Sequence, residues 1–255
     1  MSSGYGDRVA IVTGAAGGIG YGIAQALGRL GYELVLLDRQ NALLESAVQS
    51  LRADGLRVQG IAADLADEAA LRDVPSRMGA AFERTAVLVN NAGISPKHAG
   101  RKLATTDIPL EEWDAVLKVN ITAPFRLCQM VLPVMVAKGW GRIVNISSKG
   151  ARSPGGVAGI HYVTTKAALL GFTRSLAKDY ARNGITANAL TPGRIATPMT
   201  SGSAEEVQAR MVEAIPVGRI GLPSEVGALA AFLATEEAGY ITGATIDING
   251  GAVMV

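Results

Sequence analysis

Short, nearly continuous apolar runs alternate with stretches of helical periodicity along the whole chain. Runs at 8–13, 33–38, 57–62, 86–90, 141–147, 185–190 and 244–248 read as strands. Segments near 18–31, 41–54, 67–82, 111–138, 161–182 and 224–235 read as helices. Parallel neighbours need crossover connections, so this alternation predicts an α/β doubly wound domain: a parallel sheet of about seven strands with helices on both faces. Most of the runs are rich in Val, Ile and Leu rather than alternating with polar residues, as expected of strands covered on both sides. No Pro/Ser-rich linker or shift in composition divides the chain, so residues 1–255 read as a single domain. No repeat of fixed period is visible. Pro124 falls inside the segment 111–138 and predicts a kink there, beside Asn120.

Composition narrows the functional classes. Of the 255 residues, 49% are hydrophobic and 18% charged, enough for a sizeable core and unlike a disordered chain. The formal net charge is +2 with acids and bases intermixed, which argues against a nucleic-acid partner. The single cysteine, Cys128, rules out an intrachain disulfide and reads as a small core residue. No eighteen-residue apolar run is evident and the N-terminus lacks the pattern of a signal peptide, so a soluble, cytoplasmic protein without membrane contact is expected. No metal site is expected.

The first candidate for chemistry is Thr13-Gly14-Ala15-Ala16-Gly17-Gly18-Ile19-Gly20, between a strand and a helix start. Glycines let the backbone approach a pyrophosphate, and a helix N-terminus offers free N–H groups and the positive end of its dipole. Asp38 ends the second apolar run, where a carboxylate accepts hydrogen bonds from adenosine ribose hydroxyls. Asn90-Asn91-Ala92-Gly93 follows another strand and reads either as a ligand-facing edge or as a turn that uses Asn and Gly for positive φ. Asp64-Leu65 follows a third, with Asp64 either an adenine contact or a helix cap.

The second half carries groups fit for proton transfer. Strand Arg142–Ile146 ends in Ser147-Ser148, and Tyr162 and Lys166 then share a helix face at i and i+4. An ammonium beside a phenol favours phenolate and lowers its pKa from about 10, making the tyrosine an acid/base near neutral pH. His161 should point away from the Tyr162 face, while His98 lies in a loop with access to substrate; both otherwise read as surface residues. Lys149 and Arg152 read as solvated loop charges. Thr191-Pro192-Gly193-Arg194-Ile195-Ala196-Thr197-Pro198 makes a shaped turn, and the polar segment near 194–217 is expected to form a substrate lid.

Taken together and in order, these motifs resemble those of the classical short-chain dehydrogenase/reductase family over nearly the whole chain. The resemblance implies a Rossmann-type domain and hydride transfer between nicotinamide and an alcohol or ketone. It assigns Tyr162 as general acid/base, Ser148 to the substrate oxygen, Lys166 to the nicotinamide ribose, and Asn120 to a water in a proton relay. It assigns cofactor contacts to Gly14, Ala16, Gly18, Ile19, Gly20, Asp38, Arg39, Asp64, Leu65, Asn91, Ala92, Gly93, Pro192, Gly193, Ile195 and Thr197, with Tyr162 and Lys166. Ser148 stands one residue farther from Tyr162 than the family spacing; the preceding strand still selects it, with the extra residue absorbed at Gly155-Gly156 and Ser147 as the alternative.

Asp38 repels a 2′-phosphate, and Gly17 stands where relatives that prefer NADP often carry a basic residue, so NAD is expected over NADP; Arg39 points the other way. An NAD enzyme is expected to oxidise, giving a dehydrogenase for a small secondary alcohol: a polyol, sugar or hydroxy acid. The alternatives are an NADPH-dependent 3-oxoacyl-(acyl-carrier-protein) reductase and a non-catalytic dinucleotide-binding sensor or scaffold. Basic residues that would favour carrier docking are only partly matched, at Lys138-Gly139-Trp140 and Arg182-Asn183-Gly184. The family further implies a homodimer or homotetramer.

Overall fold

The computed structural model describes residues 5–153, 156–197 and 212–254. Seven strands form one parallel sheet: β1 (Val9–Thr13), β2 (Glu33–Asp38), β3 (Val58–Ala62), β4 (Thr85–Asn90), β5 (Gly141–Ile146), β6 (Ile185–Pro192) and β7 (Thr245–Ile248). Their spatial order is β3-β2-β1-β4-β5-β6-β7. The chain winds outward from β1 in one direction through β3, then crosses back to β4. The crevice between β1 and β4, at the C-terminal edge, is therefore the topological switch point where open parallel sheets bind ligands.

The helices among the described residues are α1 (Gly18–Arg29), α2 (Asn41–Ala53), α3 (Glu68–Arg72), α4 (Val74–Met78), α5 (Leu110–Leu117), α6 (Ala123–Lys138), α7 (Ile160–Tyr180) and α8 (Pro223–Leu233). Side chains alternate across a strand, so each strand feeds two cores. Ala10 and Val12 meet Ile23 and Leu27 of α1, Leu44 and Leu51 of α2, and Val226 of α8 on one face. Val9 and Ile11 meet Leu71, Val74, Leu127, Val131 and Leu176 on the other. All of β1, β4, β5 and β6 is buried, which accounts for the apolar runs of β1 and β4, while β5 and β6 also bury polar residues such as Asn145 and Asn188.

Two expected helices are broken. The segment 67–82 becomes α3 and α4, followed by a 3₁₀ turn at Gly79–Arg84. Asp67 caps α3 by accepting from the Ala69 amide at 2.8 Å, so the cap is Asp67 rather than Asp64. Pro75 lies in the first turn of α4 and Gly79, at φ 57°, ends it. The segment 111–138 runs from α5 into α6 through a π-helical turn over Lys118–Thr122, and Pro124 follows that turn directly, in the first turn of α6. The irregularity beside Asn120 is this π turn, which holds Asn120 itself.

By length and composition alone the run Leu110–Lys138 qualifies as a membrane span, contrary to the sequence reading. Its buried face, with Leu127, Cys128, Val131 and Met135, packs against the sheet. Burial also raises the Cys128 thiol to about 12, which keeps it protonated and unreactive.

Candidate active site

The glycine turn after β1 and the Asn91-Ala92-Gly93 segment after β4 are joined by four hydrogen bonds. The Thr13 hydroxyl accepts from the amides of Asn91 and Ala92, both at 3.0 Å. The Asn91 side-chain amide donates to the carbonyls of Thr13 (2.9 Å) and Gly14 (3.0 Å). Gly14 has φ 63°, and a Cβ on Gly20 would overlap the Gly14 carbonyl and stand 2.6 Å from Asn91 Nδ2. Gly20→Ala should therefore force this loop apart. Overpacking of this kind costs about 1–3 kcal/mol, and we expect a lower melting temperature together with at least tenfold weaker dinucleotide binding by calorimetry.

Helix α1 begins at Gly18 with no side-chain cap, so its first N–H groups face the crevice. Nothing lies within 4 Å of a Cβ built on Gly17. An uncapped N-terminus with open space before it is the arrangement that receives a phosphate. A cavity of about 340 Å³ runs from this turn along the sheet edge. Its floor holds Gly14, Gly18 and Ile19, one side Asn91, Ala92 and Gly93, and the far end Pro192, Gly193, Ile195 and Thr197. Ser148, Tyr162 and Lys166 close it over β5. Ile146, which was not anticipated there, and Ser147, the alternative to Ser148, also line it; both follow from the strand end that supplies Ser148.

The remaining predicted residues stand outside the walls of this cavity. Asp38, at the end of β2, is tied to the glycine turn: its Oδ2 accepts from the Ala16 amide at 3.0 Å. Arg39 beside it is exposed. Asp64 accepts from the Ala66 amide at 2.9 Å in the turn after β3, and Leu65 is buried. Gly20 lies behind the turn, within α1. Asn120 is fully buried in the π turn; its Oδ1 accepts from the Ile94 amide (2.8 Å) and its Nδ2 donates to the Ile94 carbonyl (3.0 Å) and to Thr165 Oγ1 (3.1 Å). It ties the loop after β4, at Ile94, to helix α7. The expected lid falls mostly on residues 198–211, outside the described residues.

The two serines separate cleanly. Ser147 donates to the Lys166 carbonyl at 2.6 Å and is buried. The Ser148 hydroxyl accepts from the Gly150 amide at 3.1 Å and interacts with the Tyr162 phenol. Burial raises the Tyr162 pKa above its ordinary value, with Ser148 acting in the opposite sense. Lys166 is brought down to about 8 by burial, and its Nζ donates to the Ile146 carbonyl at 2.7 Å while lying 5.7 Å from the Tyr162 ring centre. For both groups burial is the larger influence, and no effect of Lys166 on the phenol accompanies it.

Beneath the site runs a buried polar ladder that the sequence did not reveal. Asn90 donates to Asn145 Oδ1 (2.8 Å), Asn145 to Thr173 Oγ1 (2.9 Å), and Thr173 to the Leu169 carbonyl (2.7 Å). The β4–β5 register places Asn90 opposite Asn145, so this ladder is a consequence of strand pairing. Two surface readings also need correction. His161 is buried at 1% exposure. Arg152 is not a solvated charge: it donates to the Thr245 carbonyl at 2.9 Å and pairs with Asp247 at 3.2 Å.

A parallel seven-stranded sheet with this Gly-rich turn and this Ser-Tyr-Lys arrangement defines an oxidoreductase of the nicotinamide-dependent type, and the chain belongs to the classical short-chain dehydrogenase/reductase family. The family model described as Enoyl-(Acyl carrier protein) reductase matches residues 14–253. An acetoacetyl-CoA reductase of Cupriavidus necator is 39% identical over 254 residues, covering 97% of this chain and 99% of that protein. The 3-oxoacyl-[acyl-carrier-protein] reductase FabG of Escherichia coli is 36% identical over 249 residues, covering 97% and 98%. Among solved structures, a 3-oxoacyl-[acyl-carrier protein] reductase with bound NAD from Brucella melitensis aligns with a TM-score of 0.90 at 37% identity, covering 97% of this chain and 92% of that one.

Proposed function

We propose that the protein reduces 3-oxoacyl thioesters to 3-hydroxyacyl thioesters with NADH. This takes the thioester substrate of the alternative sequence reading but keeps the NAD preference of the first, where the alternative had NADPH. Relatives that match almost the full length are named for 3-oxoacyl or acetoacetyl thioester reduction, which supports the thioester over a polyol, sugar or hydroxy acid. The observation that carries the chemistry is the placement of Ser148, Tyr162 and Lys166 around one cavity, with the Tyr162 phenol, whose protonated form burial favours, interacting with Ser148. In that form it donates to a carbonyl oxygen as the oxygen becomes an alkoxide; the reductive direction is supported by the names of the relatives.

A nicotinamide dinucleotide would supply the hydride. The N–H groups at the start of α1 would hold its pyrophosphate, Asp38 its adenosine ribose, and Pro192, Gly193, Ile195 and Thr197 its nicotinamide end. Ser148 orients the substrate oxygen and Tyr162 protonates it. Lys166, whose Nζ donates to the Ile146 carbonyl, would hold the nicotinamide ribose and stands beside Tyr162, while Asn120 anchors the segment at Ile94. The assembly of Ser148, Tyr162 and Lys166 around one cavity argues for an enzyme over a binding scaffold.

NADH consumption with acetoacetyl-CoA is the direct test. We expect turnover with NADH at least tenfold more efficient than with NADPH. Turnover of polyols or sugars in the oxidising direction, with none of the thioester, would sink the reading. The exposed face shared by α6 and α7 includes Phe125, Val136 and Phe172 around an apolar groove, which supports pairing of two copies there. Sedimentation that finds only monomer would refute that pairing. Residues 1–255 are read as one domain, with a cytoplasmic location.

A further inference from the structure

We infer that His161 is the missing cap of the catalytic helix and a positioning residue for Tyr162, locked in place by Glu112. Helix α7 begins after Gly159, which has no side chain to satisfy the first-turn amides. The first backbone bond inside the helix runs from Val163 N to the Gly159 carbonyl. The amide of Tyr162, in the third helical position, is therefore one of the donors that a cap residue would normally receive. Here the His161 ring receives it: Nδ1 accepts from the Tyr162 amide at 2.7 Å.

The ring takes the space that a cap side chain would fill. A Cβ on Gly159 would lie 2.5 Å from His161 Cε1 and 3.1 Å from Nδ1. Glycine at 159 and histidine at 161 thus form one unit. Accepting at Nδ1 requires the proton to sit on Nε2, and Nε2 lies 3.0 Å from Glu112 Oε1 on α5. The other carboxylate oxygen lies 2.6 Å from His98 Nε2. The His98 bond, aided by His161 and opposed by desolvation, holds the Glu112 carboxyl below the usual range, so it remains an acceptor. Glu112 therefore sets both the tautomer and the orientation of the ring that bonds to Tyr162's own amide.

The positioning role rests on the reading of Tyr162 as the acid in the proposed reaction. The test is a transfer of the cap. His161→Ala should lower kcat about tenfold by loosening Tyr162, with the NADH dissociation constant unchanged. It should also lower the melting temperature by roughly 3 °C, the effect of a lost cap. Gly159→Ser alone should destabilise by overlap with the ring. The double variant G159S/H161A places a serine hydroxyl at the ordinary cap position, at backbone angles of φ −71° and ψ 159° that serine adopts freely, and should recover both kcat and melting temperature. An H161A enzyme with wild-type kcat, or a double variant no better than H161A, would overturn the inference. Wild-type protein without thioester turnover would refute the substrate reading instead, and compensation in melting temperature would still decide the cap.

Discussion

Tyr162→Phe should abolish reduction of acetoacetyl-CoA, lowering kcat by about 10³-fold, the usual scale for losing a positioned proton donor. The ring remains, so the cavity wall between Ser148 and Lys166 keeps its shape. The dissociation constant for NADH should change by less than about threefold, because the contacts proposed for the pyrophosphate and adenosine ribose, on β1, α1 and β2, lie away from the phenol and only one proposed contact near the nicotinamide ribose is lost. Fluorescence titration of NADH alongside steady-state kinetics separates the two. An undiminished kcat would show that another group protonates the substrate. A large loss of NADH binding would show that the phenol mainly shapes the site. Because burial favours the protonated phenol, activity in the reductive direction should hold through neutral pH and fall on the alkaline side as Tyr162 loses its proton.

The parts of the molecule that were legible in the sequence are those fixed by local pattern. Most strands of the sheet hold a short apolar run ending near a Gly, Asn, Asp or Ser, and in the central strands burial on both faces leaves such a run few other conformations. The walls of the cavity follow, because the loops that carry Gly14, Asn91, Ser148 and Pro192 all leave strands at the same edge. What escaped is non-local. The π turn at Lys118–Thr122 is stabilised by Asn120 reaching Ile94 and Thr165, partners distant in sequence. His161 was assigned to the surface from helical position alone, yet its ring folds back over Gly159 and onto a carboxylate from another helix. A glycine directly before the start of a helix, where a Ser, Thr, Asp or Asn is common, was the one available signal that a nearby side chain supplied the cap. The tyrosine's protonation could not be read either. The i, i+4 spacing gives the proximity of a lysine but not the depth of burial, which decides the sign of the shift.

On the proposed preference for NADH, Asp38→Asn should make the protein accept NADPH. In the wild type, one carboxylate oxygen is pinned by the Ala16 amide, so the charge cannot swing away from the glycine turn. A 2′-phosphate arriving there meets a fixed like charge. At an effective dielectric near 20 and a separation of about 5 Å, the repulsion is of the order of 3 kcal/mol before screening, about two decades in binding. Asparagine retains an oxygen for the Ala16 amide and removes only the charge, so the turn keeps its shape. We expect NADPH binding to improve at least tenfold and NADH binding to weaken by no more than a few-fold, through loss of one ribose hydrogen-bond acceptor. Adding Gly17→Arg should extend the gain, since nothing lies within 4 Å of a side chain starting at that position and a guanidinium there would face the phosphate. Calorimetry with each dinucleotide on the three proteins decides the matter. If wild-type protein binds NADPH as tightly as NADH, then Arg39, exposed at the next position, outweighs Asp38 and the cofactor assignment is reversed. The thioester reading would survive that reversal, because it rests on the relatives and on Tyr162 rather than on the ribose.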